Sequence, residues 1–216
     1  MAIECNAKIN KKNDIAGKNY HRRTKKKKHQ STKNMLYRKK SVSLQSLSKG
    51  GSCNMNLGAI DRDLYVDFMC QKFQEKGRSL DADVAKVVYD MFEGHTYYVQ
   101  KTMNEAFADT SRGDKCTVET LGTAISDILA GNDYYYRELL SRMTIKQKML
   151  LYAIAEDGLA TQITSADFIK RHKLTSASSV QSAVKRLLSD GYVVEEDRRY
   201  RVNDRFFGLW IQRMMA

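Results

Sequence analysis

Between Lys146 and Met214 the apolar residues change their spacing in a fixed order, and that order constrains the fold more than any other feature of the chain. Residues 146–156 offer Met149, Leu150, Tyr152 and Ala153 to a core, with Asp157-Gly158 as the stop. Residues 165–172 read as a short second helix, capped by Ser165 and presenting Phe168 and Ile169 inward. After Leu174 and Thr175, Ser176 or Ser178 can accept the free amide hydrogens of a third helix, on which Val180, Ala183, Val184, Leu187 and Leu188 form one stripe. Asp190-Gly191 ends it. Residues 192–196 and 199–202 are then short enough to pair across Asp197 and Arg198, and a last helix from Arg205 carries Phe206, Phe207, Leu209, Trp210 and Met214, whose aromatics close the core. A helix-turn-helix over 167–190, a two-stranded ribbon and an aromatic closing helix together make a winged-helix unit. Such a unit has no catalytic apparatus of its own and is most often a recognition device for nucleic acid or protein.

Charge divides the rest. Residues 1–50 hold 15 Lys and Arg against Glu4 and Asp14, a net of +13; residues 51–143 sum to −5 and residues 144–216 to +4, so the overall +12 belongs largely to the tail. The run from Arg22 to Lys28 sits among few aliphatic side chains and has little to bury against the cost of ordering its backbone. Residues 1–56 are therefore expected to be a disordered basic tail, either a polyelectrolyte arm for phosphates or a solvated leader. Only Tyr20 and Tyr37 lie near the run, which gives little support to stacking on bases. Cysteines at 5, 53, 70 and 116 lack the short paired spacings of a zinc site and read as reduced thiols of a cytoplasmic protein. No stretch approaches the roughly 20 apolar residues that cross a bilayer, and the first residues lack the apolar core of a secretion signal.

From Ile60 onward the spacing turns helical. Leu64, Phe68 and Phe73 recur over 61–75 with Gly77 as a stop; Asp81 can cap a helix carrying Val84, Val87, Val88 and Met91; a third runs over 96–108; and 118–143 is helical with a break near Gly131. Residues 111–114 read as a loop. The expected architecture is mainly α: a helical domain over 57–143, then the winged helix with its small β-wing over 144–216.

For nucleic acid, the outward face of the third winged helix offers Ser179, Gln181, Ser182, Lys185 and Arg186, and the ribbon offers Arg198, Arg199 and Arg201. Lysine and arginine suit phosphates or guanine edges, and glutamine suits adenine. The same residues suit a solvated or protein-docking face, and Glu195, Glu196 and Asp197 would repel a backbone. Catalysis finds no foothold. His21, His29, His95 and His172 belong to no metal-spaced set and to no nucleophile and base pair, and His172 reads as a helix-end residue. Gly50-Gly51-Ser52 lacks the lysine of a phosphate loop, and three successive tyrosines at 134–136 must point in different directions on a helix.

One stretch adds a resemblance. Glu93-Gly94-His95-Thr96-Tyr97-Tyr98-Val99-Gln100 resembles the helical lid of a group of prokaryotic AAA-type P-loop ATPases, in which a Gly-His-Pro-Tyr-Tyr-like segment follows the second lid helix. Residues 175–183 and 200–210 resemble the winged-helix end of the same proteins. The resemblance spans about 57–213. It implies that Gly94, His95 and Thr96 lie near a nucleotide, although Thr96 stands where proline is usual. Phosphoanhydride cleavage needs a backbone cradle, a lysine and a magnesium ligand together, and this chain shows none of the three. The expectation is a non-catalytic module without cofactor or metal, or the regulatory region of an ATPase whose core is elsewhere. Its partners would be DNA, a protein or that missing core, and not a membrane.

Overall fold

The computed structural model describes residues 60–216, which form one compact unit, Ile60–Ala216. The basic run 22–28, Cys5, Cys53, His21, His29 and Gly50-Gly51-Ser52 lie outside the described residues.

Helix α1 (Arg62–Gln74) begins where Asp61 Oδ1 accepts the amides of Asp63 and Leu64 at 3.0 and 3.1 Å. It ends where Gly77, at φ +69°, turns the chain. The following β1 (Ser79–Leu80) pairs in parallel with β2 (Lys115–Cys116), placing α2 (Ala82–Met91) and α3 (Thr96–Asp109) in the crossover. The sequence reading assigns no strand at either place, its loop covering only 111–114. Two residues are too few to show a period, and the bridge is held by partners distant in sequence. Lys115 pairs with Asp81 at 2.5 Å, Arg78 Nε donates to the Thr110 carbonyl at 2.6 Å, and the Arg78 guanidinium lies 3.9 Å from the centre of the Phe107 ring. Asp81 therefore precedes α2 without capping it through its side chain.

Helix α4 (Val118–Gly131) packs on α3, with Leu121, Ala124, Ile125 and Ile128 meeting a core that includes Val99, Met103 and Ala106. The expected break before α5 (Asp133–Ser141) falls one residue beyond Gly131. Asn132 makes it: the side-chain amide donates to the Ile128 carbonyl at 2.8 Å, so one residue closes α4 and opens α5.

The C-terminal part runs α6 (Ile145–Asp157), β3 (Ala160–Thr161), α7 (Ala166–Arg171), α8 (Ala177–Ser189), β4 (Val193–Glu196), β5 (Arg199–Val202) and α9 (Arg205–Met215). Thr144 and Gln147 form a reciprocal capping box at the start of α6, and Ser165 caps α7. Strand order is β3-β5-β4, all antiparallel, so β5 is central and the ribbon gains a third strand that its two-residue length hid. The two-residue turn between β4 and β5 puts Asp197 and Arg198 at φ +51° and +61°, as a primed hairpin turn requires. Leu150, Leu151, Ile154, Leu187, Val193, Val202 and Ile211 fill the core between α6, α8, the sheet and α9.

Helix α9 does more than close that core. Phe206 meets Phe92 and Tyr98 edge-on at 5.4 and 5.1 Å between ring centres, and Phe207 stacks on Tyr136 at 4.9 Å. Trp210 Nε1 donates to Asp133 Oδ1 at 3.0 Å. Its aromatic face thus lies against the turn after α2, α3 and α5 as well as α6, joining the two helical groups through one shared apolar layer.

Candidate nucleic-acid interface

Helix α8 starts at Ser176, whose Oγ accepts the Ser179 amide at 3.3 Å and Ser178 Oγ lies 3.1 Å away, so both serines read as alternatives meet at one helix end. The inward stripe is Val180, Ala183, Val184 and Leu187, all buried, with Leu188 packed beside it. That stripe fixes the helix rotation and leaves Gln181, Ser182, Lys185 and Arg186 exposed; Ser179 is half-buried. Two of these have intrahelical ties. Ser182 Oγ donates to the Ser178 carbonyl at 3.0 Å, and Arg186 pairs with Asp190 at 3.1 Å.

The three wing arginines separate. Arg198 stands exposed at the tip and Arg199 exposed beside it, whereas Arg201 folds back onto the other helical group. Arg201 Nη1 donates to Glu93 Oε2 at 2.5 Å and Nη2 to Glu196 Oε2 at 2.6 Å. Arg205, which the sequence reading leaves out of the site, reaches the same Glu93 oxygen at 2.9 Å. Burial pushes the Glu93 carboxyl upward, but Arg205 and Arg201 outweigh it and hold the group below the usual glutamate range. No sequence period reports this pairing, because its members are more than a hundred residues apart.

Gly94 and His95 lie in the turn between α2 and α3, and Thr96 is the first residue of α3. Gly94 has φ +70°, and a Cβ there would lie 2.6 Å from the Tyr89 ring, so both backbone angle and space require glycine. The His95 ring lies 4.7 Å from that of Tyr98 and is otherwise exposed. Tyrosines 134 to 136 diverge as a helix demands: Tyr134 is 82% exposed, Tyr135 is exposed, and Tyr136 is 2% exposed beneath Phe207 and Trp210. Burial and the neighbouring Asp204 carboxylate push the Tyr136 phenol up, keeping it protonated as the donor to Asp204 Oδ2 at 3.3 Å.

The remaining chemistry-bearing groups are structural. His172 closes α7 with its ring against Phe168 and its nitrogens 3.2 Å from Glu156 and from Asp157, bracing α7 on the end of α6. Burial raises both the Cys70 and Cys116 thiols, which keeps them from the thiolate form that attacks or ligates. A cleft of about 450 Å³ lies between α3, α4, α5 and the start of α9, walled by Tyr97, Tyr135, Lys101, Glu105, Asp127 and Asp204. Its carboxylates outnumber its one lysine, so it does not suit phosphates. Glu105, Asp109 and Asp127 approach one another to within 4.8 Å at its rim. Among the described residues no helix is long and apolar enough to cross a membrane.

Comparison with known proteins agrees with the architecture. The model of a family described as a probable winged helix domain matches residues 134–213, a span that takes in α5 with its Tyr136. No curated protein matches the chain. A Walker-type ATPase of Pyrococcus abyssi has a similar fold at a TM-score of 0.53 and 15% identity, over 71% of this chain and 42% of that one. The chain thus spans less than half of that structure, and at this identity the likeness concerns fold alone. The described chain is a predominantly helical structure that ends in a winged helix-turn-helix bearing a small β-sheet wing.

Proposed function

We propose that the chain is a non-catalytic binding module in which the winged helix, residues 144–216, meets nucleic acid through α8 and the wing tip, while residues 57–143 serve as a lid-like helical scaffold. The observation that carries this reading is the outward set on α8. The stripe from Val180 to Leu187 anchors one face in the core, and the opposite face presents Gln181, Ser182, Lys185 and Arg186 together. Exposed Arg198 and Arg199 add positive charge at the wing. Lys185 and Arg186 supply phosphate or guanine contacts, Gln181 an adenine contact, and Ser179 and Ser182 short polar contacts near the backbone. The basic tail 1–56 adds nonspecific attraction, and no cofactor or metal takes part.

A second reading is favoured by the similarity in fold to part of a Walker-type ATPase. In it the chain is a regulatory region, its protein partner is a nucleotide-binding core supplied elsewhere, and Gly94, His95 and Thr96 face that core's nucleotide. Fluorescence anisotropy with mixed-sequence duplex DNA at physiological salt separates the two. The full chain, residues 57–216 and a Lys185→Ala/Arg186→Ala double variant of each are titrated. Binding by 57–216 that falls in its double variant supports recognition by α8. Binding by the full chain alone assigns contact to the tail and moves the folded part to the second reading.

A further inference from the structure

Two arginines converge on a single oxygen where the α2–α3 turn meets the wing. Glu93 Oε2 receives Arg201 Nη1 at 2.5 Å and Arg205 Nη2 at 2.9 Å. One oxygen taking guanidinium donors from two side chains is the arrangement that an arginine site offers a phosphate oxygen. The partners are unequally held. The arginine side chains are only 16% and 20% exposed, while that of Glu93 is 57% exposed. Arg201 lies on β5, opposite Val194 of β4, and Arg205 is the first residue of α9, whose next two residues are buried in the aromatic layer. Glu93 instead sits on a turn, in the left-handed region at φ +52° and followed by Gly94 at +70°. The cationic half is therefore preorganised by the fold. The anionic half is a half-solvated side chain on a turn, within reach of solvent and of a competing anion.

We propose that Arg201 and Arg205 form a phosphate-binding pair for a nucleic-acid backbone, and that Glu93 holds the phosphate's place in the structure seen here. The proposal rests on the reading of the winged helix as a nucleic-acid module. It gives the α2–α3 turn a function of its own, since the turn competes with the backbone for the wing. Glu196 shares Arg201 from the exposed side at 2.6 Å and acts in the same sense, more weakly because it reaches only one of the two arginines. Loss of Glu93 therefore adds up to two phosphate contacts without adding any basic residue.

The test is anisotropy of the full chain with a short mixed-sequence duplex over a series of salt concentrations, every variant carrying the same tail. Glu93→Gln is expected to tighten binding and to steepen the fall of log K with log salt by about 1 to 2, because each additional phosphate neutralised contributes about 0.9. In an Arg201→Ala/Arg205→Ala background the same substitution is expected to leave the slope unchanged. An equal gain in both backgrounds is removal of a distant negative charge and overturns the proposal, as does an unaltered slope in the first. Circular dichroism checks that each variant folds. Should Glu93→Gln fail to fold, Glu93→Asn, neutral and tolerant of the left-handed backbone at φ +52°, has the same readout in both backgrounds, and no steepening overturns the proposal. Lys185→Ala/Arg186→Ala is measured alongside. If it weakens binding while Glu93→Gln does nothing, the phosphate pair fails alone; if it leaves binding intact, the α8 reading fails.

Discussion

Phe206→Ala tests whether the described residues unfold as one body. Phe206 is 3% exposed, and its ring lies 5.4 Å from Phe92 and 5.1 Å from Tyr98, so truncation opens a hole between α9 and the α2–α3 turn and leaves the core around Leu150 and Leu187 intact. Removing a buried phenylalanine costs about 3–5 kcal/mol, the lost transfer energy plus the unfilled cavity. For a unit of this size each kcal/mol lowers Tm by about 2–4 °C, which places the expected fall at roughly 6–20 °C. Two probes make the result diagnostic. Far-ultraviolet circular dichroism reports helix throughout, whereas Trp210, the only tryptophan, sits in the layer joining α5 to α9 and reports on that junction through its fluorescence. A shared core predicts one transition, seen at the same temperature by both probes and displaced equally in the variant. Two dichroism transitions, of which only one moves and carries the Trp210 signal, would refute the shared layer as the source of cooperativity.

Other expectations follow from single contacts. Gly94→Ala forces a side chain into the left-handed region and into the Tyr89 ring, so a loss above the roughly 1–2 kcal/mol of the left-handed conformation alone is expected in urea unfolding. Asp61→Ala removes the acceptor for two α1 amides and should cost about 0.5–2 kcal/mol, with Asp61→Ser largely restoring it in the same assay. Glu93 and Asp133 both have carboxyls held low in the folded state. Arg205 and Arg201 overcome the effect of burial on Glu93, and Arg137, opposed in part by desolvation and aided by Trp210, lowers Asp133. A folded pKa below the unfolded one gives stability that is complete above the unfolded value and lost as pH falls through the folded one. Acid titration of Tm should therefore decline below the usual carboxylate range, and Glu93→Gln should flatten part of that decline. Arg198→Gly should leave stability equal or slightly raised, because glycine relieves the positive φ at the hairpin tip, while removing the tip charge from any DNA contact.

What the sequence could convey follows the range of each interaction. The stripe on α8, the stops at Gly77 and Gly191 and the cap at Ser165 are contacts within a few residues, and they leave a period or a residue type to be read, whereas Asp61, the cap of α1, reads as part of the helix and Asp81 makes no side-chain cap bond. The parallel bridge between Ser79–Leu80 and Lys115–Cys116 leaves neither, since a two-residue strand has no period and its supports, Arg78 to Thr110 and Asp81 to Lys115, are about 30 residues apart. The third strand at Ala160–Thr161 was hidden for the same reason. The break after α4 was legible as a glycine, but the residue that builds it is Asn132 through its bond to Ile128.

The candidate site shows the same limit with more consequence. Arg198, Arg199 and Arg201 are equivalent as letters on a ribbon, and the strand period even puts Arg199 and Arg201 on one face, yet packing divides them, sending two to solvent and one to a carboxylate on a distant turn. Arg205 reads as the start of a helix and becomes the second donor to that carboxylate. Net charge therefore overstates what the wing can offer a phosphate while Glu93 is in place. Under the proposal of a phosphate-binding pair, binding at the wing depends on which anion occupies Arg201 and Arg205. That dependence would run through the turn at Glu93, at φ +52°, so the substitution expected to steepen salt dependence lies outside the helix-turn-helix.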